Sequence, residues 1–228
     1  MHTYIRSLFL PATRVHALQA QESIVVSELV TTAQPLPSNN KRIYIYSTHQ
    51  QEEYEDAGVF EASHYLANCL QTLGYEVIVE ENNFYDYASN NGLNYNHLYQ
   101  VSNIFLNQAL KTYGSFDFII DFHRDSVGAN VTQLVTDTKN YAKLMFVVGG
   151  LSDKVETVKE TSQILSNNVE NYQPGISRGV MVREAYYNQY VSDHMVLIEV
   201  GGVENTYEEI KNSLDILAKG IHDYLKTI

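Results

Sequence analysis

The chain has 228 residues, with 15 Lys and Arg against 27 Asp and Glu and a formal net charge of −12. That length suits one domain with a tail, and a hydrophobic share of 44% is enough for a sizeable core. The acidic balance, without any basic run of five or more, disfavours nucleic acid and anionic membranes, because phosphate binding needs clustered Lys and Arg.

Residues 1–40 are rich in Ala, Gln, Ser and Thr and end in Gln34-Pro35-Leu36-Pro37-Ser38-Asn39-Asn40, which reads as a tail or linker. His16 to Val30 could form a short helix or strand. No run approaches the roughly 20 apolar residues of a membrane span. Ser7-Leu8-Phe9-Leu10 is too short for the apolar region of a secretory signal. The expectation is a cytoplasmic protein, or a chain without its upstream export segment. Cys69 is the single cysteine, so no intrachain disulfide can form, and its place among Leu66, Leu70 and Leu73 reads as packing.

From residue 41 strands and helices alternate. The pattern predicts a strand at 42–47, a helix at about 58–73 capped by Gly74, and a strand at 75–80. A polar, Asn-rich loop at 82–93 and a helix at about 94–112 follow, then a strand at 116–122. Val131 to Val135 reads as a short strand and Ala142 to Val148 as a longer one, before a helix at about 154–170. Pro174 to Gly179 reads as a turn-rich loop, with strands at Val180 to Arg183 and Met195 to Val200. The last helix, Tyr207 to Leu225, places Ile210, Leu214, Leu217, Ile221 and Leu225 on one face. This alternation predicts an α/β fold, a mostly parallel twisted sheet with helices on both faces.

Three strand-like runs end in residues suited to a metal site. The first runs into His49-Gln50-Gln51-Glu52, the second into His123-Arg124-Asp125, the third into Glu199-Val200-Gly201-Gly202. Ligands of open α/β sheets bind outside the carboxyl ends of the strands, and two His with one Glu and an open position form a catalytic zinc set. His49 and Glu52 leave one strand end within a turn of chain; read alone, they are an exposed His and a solvated Glu. Asp121 and His123, after Phe118-Ile119-Ile120, need partners there. A Glu at position 199, at a strand exit, could be a general base or acid, or an ion-pair partner of Arg124 or Arg178. Glu61-x-x-His64 also has ligand spacing on one helix face, which makes Glu61 an alternative to Glu52. Arg178, beside Gly179, could grip a carboxylate or make a structural salt bridge. His2, His16, His97, His194 and His222 read as structural or exposed, although Asp193-His194 could line the cleft. The Tyr- and Asn-rich stretch 83–99 could form one cleft wall and contact glycan.

These segments match a family pattern. Tyr46-Ser47-Thr48-His49-Gln50-Gln51-Glu52-Glu53-Tyr54 resembles the His-Thr-His-x-x-Glu-x-Tyr opening of the stage II sporulation protein P family, and Asp121-Phe122-His123-Arg124-Asp125 resembles its Asp-x-His-Arg-Asp segment. Ala142 to Gly149, Tyr172 to Gly179, Tyr187-Asn188-Gln189 and Ile198 to Thr206 extend the resemblance, in family order, over about 41–228. The resemblance implies a zinc-dependent N-acetylmuramoyl-L-alanine amidase of the cell envelope, similar in fold to zinc carboxypeptidases. Carried over residue by residue, it implies zinc on His49, Glu52 and His123 and a catalytic role for Glu199. Ser47 stands where the family opening has its first His, so that position cannot ligate. In the broader amidase families the ligating Glu lies nearer the first helix, which keeps Glu61 open.

The expected activity is cleavage of the amide between N-acetylmuramic acid and the L-alanine of the stem peptide. Arg124 or Arg178 would help hold the oxyanion or a stem-peptide carboxylate. The alternatives are a zinc endopeptidase or carboxypeptidase on the same substrate, or a non-catalytic wall-binding module. The expected partners are peptidoglycan and envelope proteins of the sporulation-type hydrolase machinery. The expected place of action is the extracytoplasmic cell envelope, with an anchor or signal missing from this chain.

Overall fold

The structure, a computed structural model, describes residues 40–228. The expected tail and the element at His16 to Val30 lie outside the described residues, apart from Asn40. Strands β1 (Arg42–Tyr46), β2 (Glu76–Val79) and β3 (Phe118–Asp125) build one half of the sheet. After β3 come the short helix α4 (Ala129–Thr132) and the hairpin β4 (Gln133–Val135) and β5 (Asn140–Ala142). Then come β6 (Leu144–Gly149), β7 (Ser177–Arg183) and β8 (Met195–Gly202). The main helices are α1 (Val59–Thr72), α2 (Phe84–Asn90), α3 (Leu98–Tyr113), α5 (Val155–Tyr172) and α6 (Tyr207–Leu225).

The six-stranded sheet has the order β2-β1-β3-β8-β6-β7. Strands β2, β1, β3 and β8 run parallel. β6 pairs antiparallel to β8 and parallel to β7. The carboxyl ends of β1, β3 and β8 therefore share a rim with the amino ends of β6 and β7. Each face of the sheet has its own core. Ile43, Ile45, Phe118, Ile120, Val196 and Ile198 pack with α1, α5 and α6. The alternate residues Tyr44, Tyr46, Ile119 and Met195 pack with α2 and α3 on the other face. Helix α6 starts at a capping box in which Thr206 and Glu209 satisfy each other's backbone N–H groups. Its fully buried Ile210 and Leu214 each contribute about 1.5–3 kcal/mol of apolar burial.

Several expected boundaries move. Part of the stretch read as an Asn-rich loop is α2, whose N-terminus is capped by the Asn83 side chain and which buries Phe84 and Ala88. Residues Ala129–Thr132 are helical, so only Gln133–Val135 of the expected Val131–Val135 strand is extended. The run Ala142 to Val148 is two strands broken at Lys143. β7 begins at Ser177, so Arg178 and Gly179 belong to a strand and not to a loop. Among the described residues, no helix is long and apolar enough to cross a membrane.

Candidate active site

The rim at the ends of β1, β3 and β8 gathers the expected residues. His123 lies inside β3 and pairs in register with Glu199 of β8. His49 and Glu52 sit in the turns after β1, where the Glu52 N–H donates to the His49 carbonyl at 3.0 Å. The His49 ring stands edge-on to His123, with ring centres 5.4 Å apart. Glu52 Oε2 lies 3.6 Å from His123 Nδ1 and accepts the Arg124 N–H at 3.2 Å. Glu61 is exposed in the first turn of α1, near Tyr207, and His64 turns to Glu81 at 2.8 Å. Thus of these two carboxylates the fold brings Glu52, and not Glu61, to His123.

Fully buried Asp121 organises the floor. Its Oδ1 accepts the Thr48 N–H at 3.0 Å and its Oδ2 accepts the Thr48 hydroxyl at 2.9 Å. Its Oδ1 is also 2.9 Å from His123 Nε2, an approach too oblique for a well-formed hydrogen bond. The aromatic wall comes from the stretch 83–99. Tyr95 stacks on His49 at 4.7 Å, and Tyr99 lies edge-on to His49 at 5.6 Å and stacked 6.3 Å from His123.

Burial and charge set the protonation preferences here. Burial, then the neighbouring His123, lowers the pKa of His49. Burial also opposes charge on His123, but Asp121, Glu52 and Glu199 outweigh it and raise its pKa well above the ordinary histidine range. Burial pushes Glu199 up to about 7, against the pull of His123 and with help from Glu52, Asp125 and Asp121.

The exit of β8 explains how Glu199 is held. Gly201 adopts a φ of +66°, where a Cβ would come within 2.8 Å of Asn205 Oδ1 and 2.9 Å of the Ala142 Cβ. A Cβ on Gly202 would run into the Val127 carbonyl. The pair of glycines therefore lets the chain leave the sheet tightly packed just after the carboxylate.

The two arginines lie beside this group with partners of their own. Arg178 Nη1 makes a 2.7 Å ion pair with Asp125, and Arg124 Nε donates to the Glu53 carbonyl at 2.7 Å. Neither satisfies Glu199, whose Oε2 is buried without a hydrogen-bond partner. Asp193-His194 corrects an expectation. It precedes β8, at the opposite rim, where Asp193 pairs with Lys154 and His194 Nδ1 meets the Tyr224 hydroxyl at 2.7 Å, so it does not line this cleft. His97 and His222 are engaged by Asn94 and Tyr75, and His2 and His16 lie outside the described residues.

As it stands, no group of three or more His, Cys, Asp or Glu among the described residues is drawn together tightly enough to hold a metal ion. The donor chemistry nonetheless fits one. His49 Nδ1 and Glu199 Oε2 are buried without partners, and the 3.6 Å separation of His123 Nδ1 from Glu52 is too long for a hydrogen bond. Two imidazoles and a carboxylate, with a second carboxylate behind one imidazole, are the ligand and supporting groups a zinc ion takes.

The sequence and the fold have known counterparts. The family model for Stage II sporulation protein P (SpoIIP) matches residues 13–222, so the match begins inside the stretch expected to be a tail. Stage II sporulation protein P of Bacillus subtilis (strain 168) is 28% identical over 200 residues, covering 79% of this chain and 50% of that protein. The chain thus spans about half the length of the curated relative it matches. The CwlD amidase from Clostridioides difficile, solved in complex with the GerS lipoprotein, superposes with a TM-score of 0.57 at 16% identity. That likeness covers 83% of this chain and 100% of CwlD. The N-acetylmuramoyl-L-alanine amidase from Clostridium difficile 630 gives a TM-score of 0.52 at 17% identity, over 82% of this chain and 95% of that one. At such identities the likenesses show a shared amidase-type α/β fold. With the family match spanning most of its length, the chain belongs to the Stage II sporulation protein P family.

Proposed function

We propose that the chain is a zinc-dependent N-acetylmuramoyl-L-alanine amidase, which cuts the amide between N-acetylmuramic acid and the L-alanine of the peptidoglycan stem peptide. The observation that carries this reading is the meeting of His49, Glu52, His123 and Glu199 at one rim, with unpartnered polar atoms on His49 and Glu199. His49, Glu52 and His123 would hold the ion. Zinc in that position would polarise the scissile carbonyl and make water nucleophilic near neutral pH.

The chain's own residues supply the rest. Asp121, locked by two hydrogen bonds from Thr48, sets its carboxylate 2.9 Å behind the far nitrogen of His123, whose Nδ1 faces Glu52. Glu199 Oε2, which has no partner of its own, takes the proton of the attacking water and returns it to the leaving alanine nitrogen. The Arg178 guanidinium, paired with Asp125, and the Arg124 guanidinium, held on the Glu53 and Asp125 carbonyls, would steady the oxyanion or a stem-peptide carboxylate. The Tyr95 and Tyr99 rings shield His49 from water. Family membership supports extending the proposal to action outside the cytoplasm on peptidoglycan, alongside envelope proteins of the sporulation-type machinery, by a catalytic domain at 41–228 preceded by a tail.

Mass spectrometry of digested peptidoglycan tests the reading. Stem peptides with a free L-alanine amine should be released, release should stop with a chelator, and zinc should restore it. Products cut within the stem peptide, with the muramoyl–alanine bond intact, would replace amidase by endopeptidase. No products under any metal condition would refute both.

A further inference from the structure

A groove adjoins the candidate centre through Tyr99. The start of α3 and the loop after β7 enclose a cavity of about 640 Å³ lined by Tyr99, Asn103, Leu151, Tyr186, Tyr187 and Tyr190, among others. That size falls in the roughly 300–1,000 Å³ range of small-molecule sites. A neighbouring hollow of about 470 Å³ shares Leu151, Tyr186 and Tyr190 and lengthens it. Tyr186 is 57% exposed, and Tyr190 and Leu151 are also exposed.

The loop is built to hold these rings out. Tyr187 and Asn188 have φ values of 49° and 57°, the left-handed region that bulky residues avoid. Strain of this kind persists only when the surroundings over-determine it. Here Gln189, fully buried, accepts the Gly149 N–H at 2.7 Å and donates to the Val147 carbonyl at 2.8 Å. Asn188 Nδ2 donates to the Tyr99 carbonyl at 3.1 Å, which ties the loop to α3. A Cβ at Gly149 would come within 2.7 Å of the Ala185 and Tyr186 carbonyls, so the loop lies flat against that glycine.

The lining also specifies chemistry. Asn103 Oδ1 accepts from Asn107 Nδ2 at 3.0 Å, which fixes the amide, and Asn103 Nδ2 is buried with no partner. A donor in that state calls for a carbonyl-type acceptor. Among the described lining residues there is no Lys, Arg or His, and the charged groups, Glu184 and, in the adjoining hollow, Asp153, are both acidic. That charge is wrong for the carboxylates of a stem peptide. Tyrosine rings offer flat apolar faces with a polar edge, which suits the C–H face of a sugar ring.

We propose that this groove binds N-acetylated aminosugar units of the glycan strand, with the Tyr186 and Tyr190 rings under the sugars and Asn103 Nδ2 donating to an acetamido carbonyl. The placement of those sugars beside the scissile amide rests on the amidase reading above; the groove's preference for such sugars does not.

The test is calorimetric titration of the full chain with the N-acetylglucosamine tetramer. Saturable binding is expected. It should weaken about tenfold in Tyr186→Ala/Tyr190→Ala, the loss of two ring contacts, and survive in Tyr186→Phe/Tyr190→Phe, which controls for folding. Asn103→Ala should erase the preference for the tetramer over its deacetylated form. No saturable binding, or equal binding by the wild type and the double Ala variant, overturns the proposal. So does tighter binding of a free stem peptide that the same substitutions weaken. Tetramer binding without amide cleavage would sink the amidase reading alone, and amide cleavage without tetramer binding would sink the groove alone.

Discussion

Replacing Asp121 by Asn separates the support of the site from the support of the fold. The carboxylate is fully buried and meets three groups, the Thr48 N–H, the Thr48 hydroxyl and His123 Nε2. An Asn can keep two of them. Its oxygen takes the place of Oδ1 and still accepts the Thr48 N–H. Its amide takes the place of Oδ2 and donates to Thr48 Oγ1, whose hydrogen can turn to Ser102 Oγ, 3.0 Å away. What disappears is the negative charge behind His123. Exchanging charge-assisted bonds for neutral ones costs about 1–2 kcal/mol, or about 2–8 °C in Tm for a domain of this size. Asp121→Ala leaves the Thr48 groups and the His123 ring without a buried partner and should cost about 3–5 kcal/mol. Loss of a carboxylate behind a ligating imidazole typically lowers metal affinity about 10–100-fold. Thermal melting and a zinc competition titration against a chromophoric chelator read the two effects on one preparation. Asp121→Asn with unchanged zinc affinity and a lowered Tm would refute the idea that Asp121 orients a zinc-binding His123.

Three further outcomes follow from the same geometry. Glu199→Gln keeps shape and removes the base, so zinc affinity should hold while amidase rate falls by about 10²–10⁴; a normal rate at full zinc occupancy would remove Glu199 from the proton path. Glu52→Ala should lose stoichiometric zinc by elemental analysis while Glu61→Ala keeps it, because Glu52 alone of the two approaches His123; the reverse result would move the ligand to α1. Gly202→Ala should lower Tm by well over the ~2–4 °C that each kcal/mol represents, since its Cβ meets the Val127 backbone rather than a movable side chain; an unchanged Tm would show that the β8 exit is not tightly packed.

Legibility in the sequence followed the range of the interactions. The bounds of α6 coincide with those expected, because its apolar stripe and its capping residues are local signals. Helix α2 escaped, because Tyr, Asp, Ser and Asn carry little helical periodicity; its cap at Asn83 and the burial of Phe84 decide the matter. The start of β7 is hidden in the sequence because Pro174 and Gly175 signal a turn, while the strand is set by pairing of Ser177 with Leu144 across the sheet. The site shows the same division. His49 and Glu52 follow the end of β1, His123 and Glu199 lie toward the carboxyl ends of β3 and β8, and such ends are visible in the apolar runs. The need of Asp121 for a partner was legible; that Thr48 and His123 answer it was not, since Thr48 lies 73 residues away. Tyr99 and the loop at 184–190 carried no signal of meeting, because their contact is made across the face of the sheet.

Zinc-edge anomalous diffraction from crystals of the zinc-loaded protein tests the central claim most directly. The account predicts one peak, with ligand atoms of His49, Glu52 and His123 about 2.0–2.2 Å away and Glu199 facing the open position. A peak held by Glu61 or by other side chains, or zinc coordinated by Glu199 in place of Glu52, would contradict it.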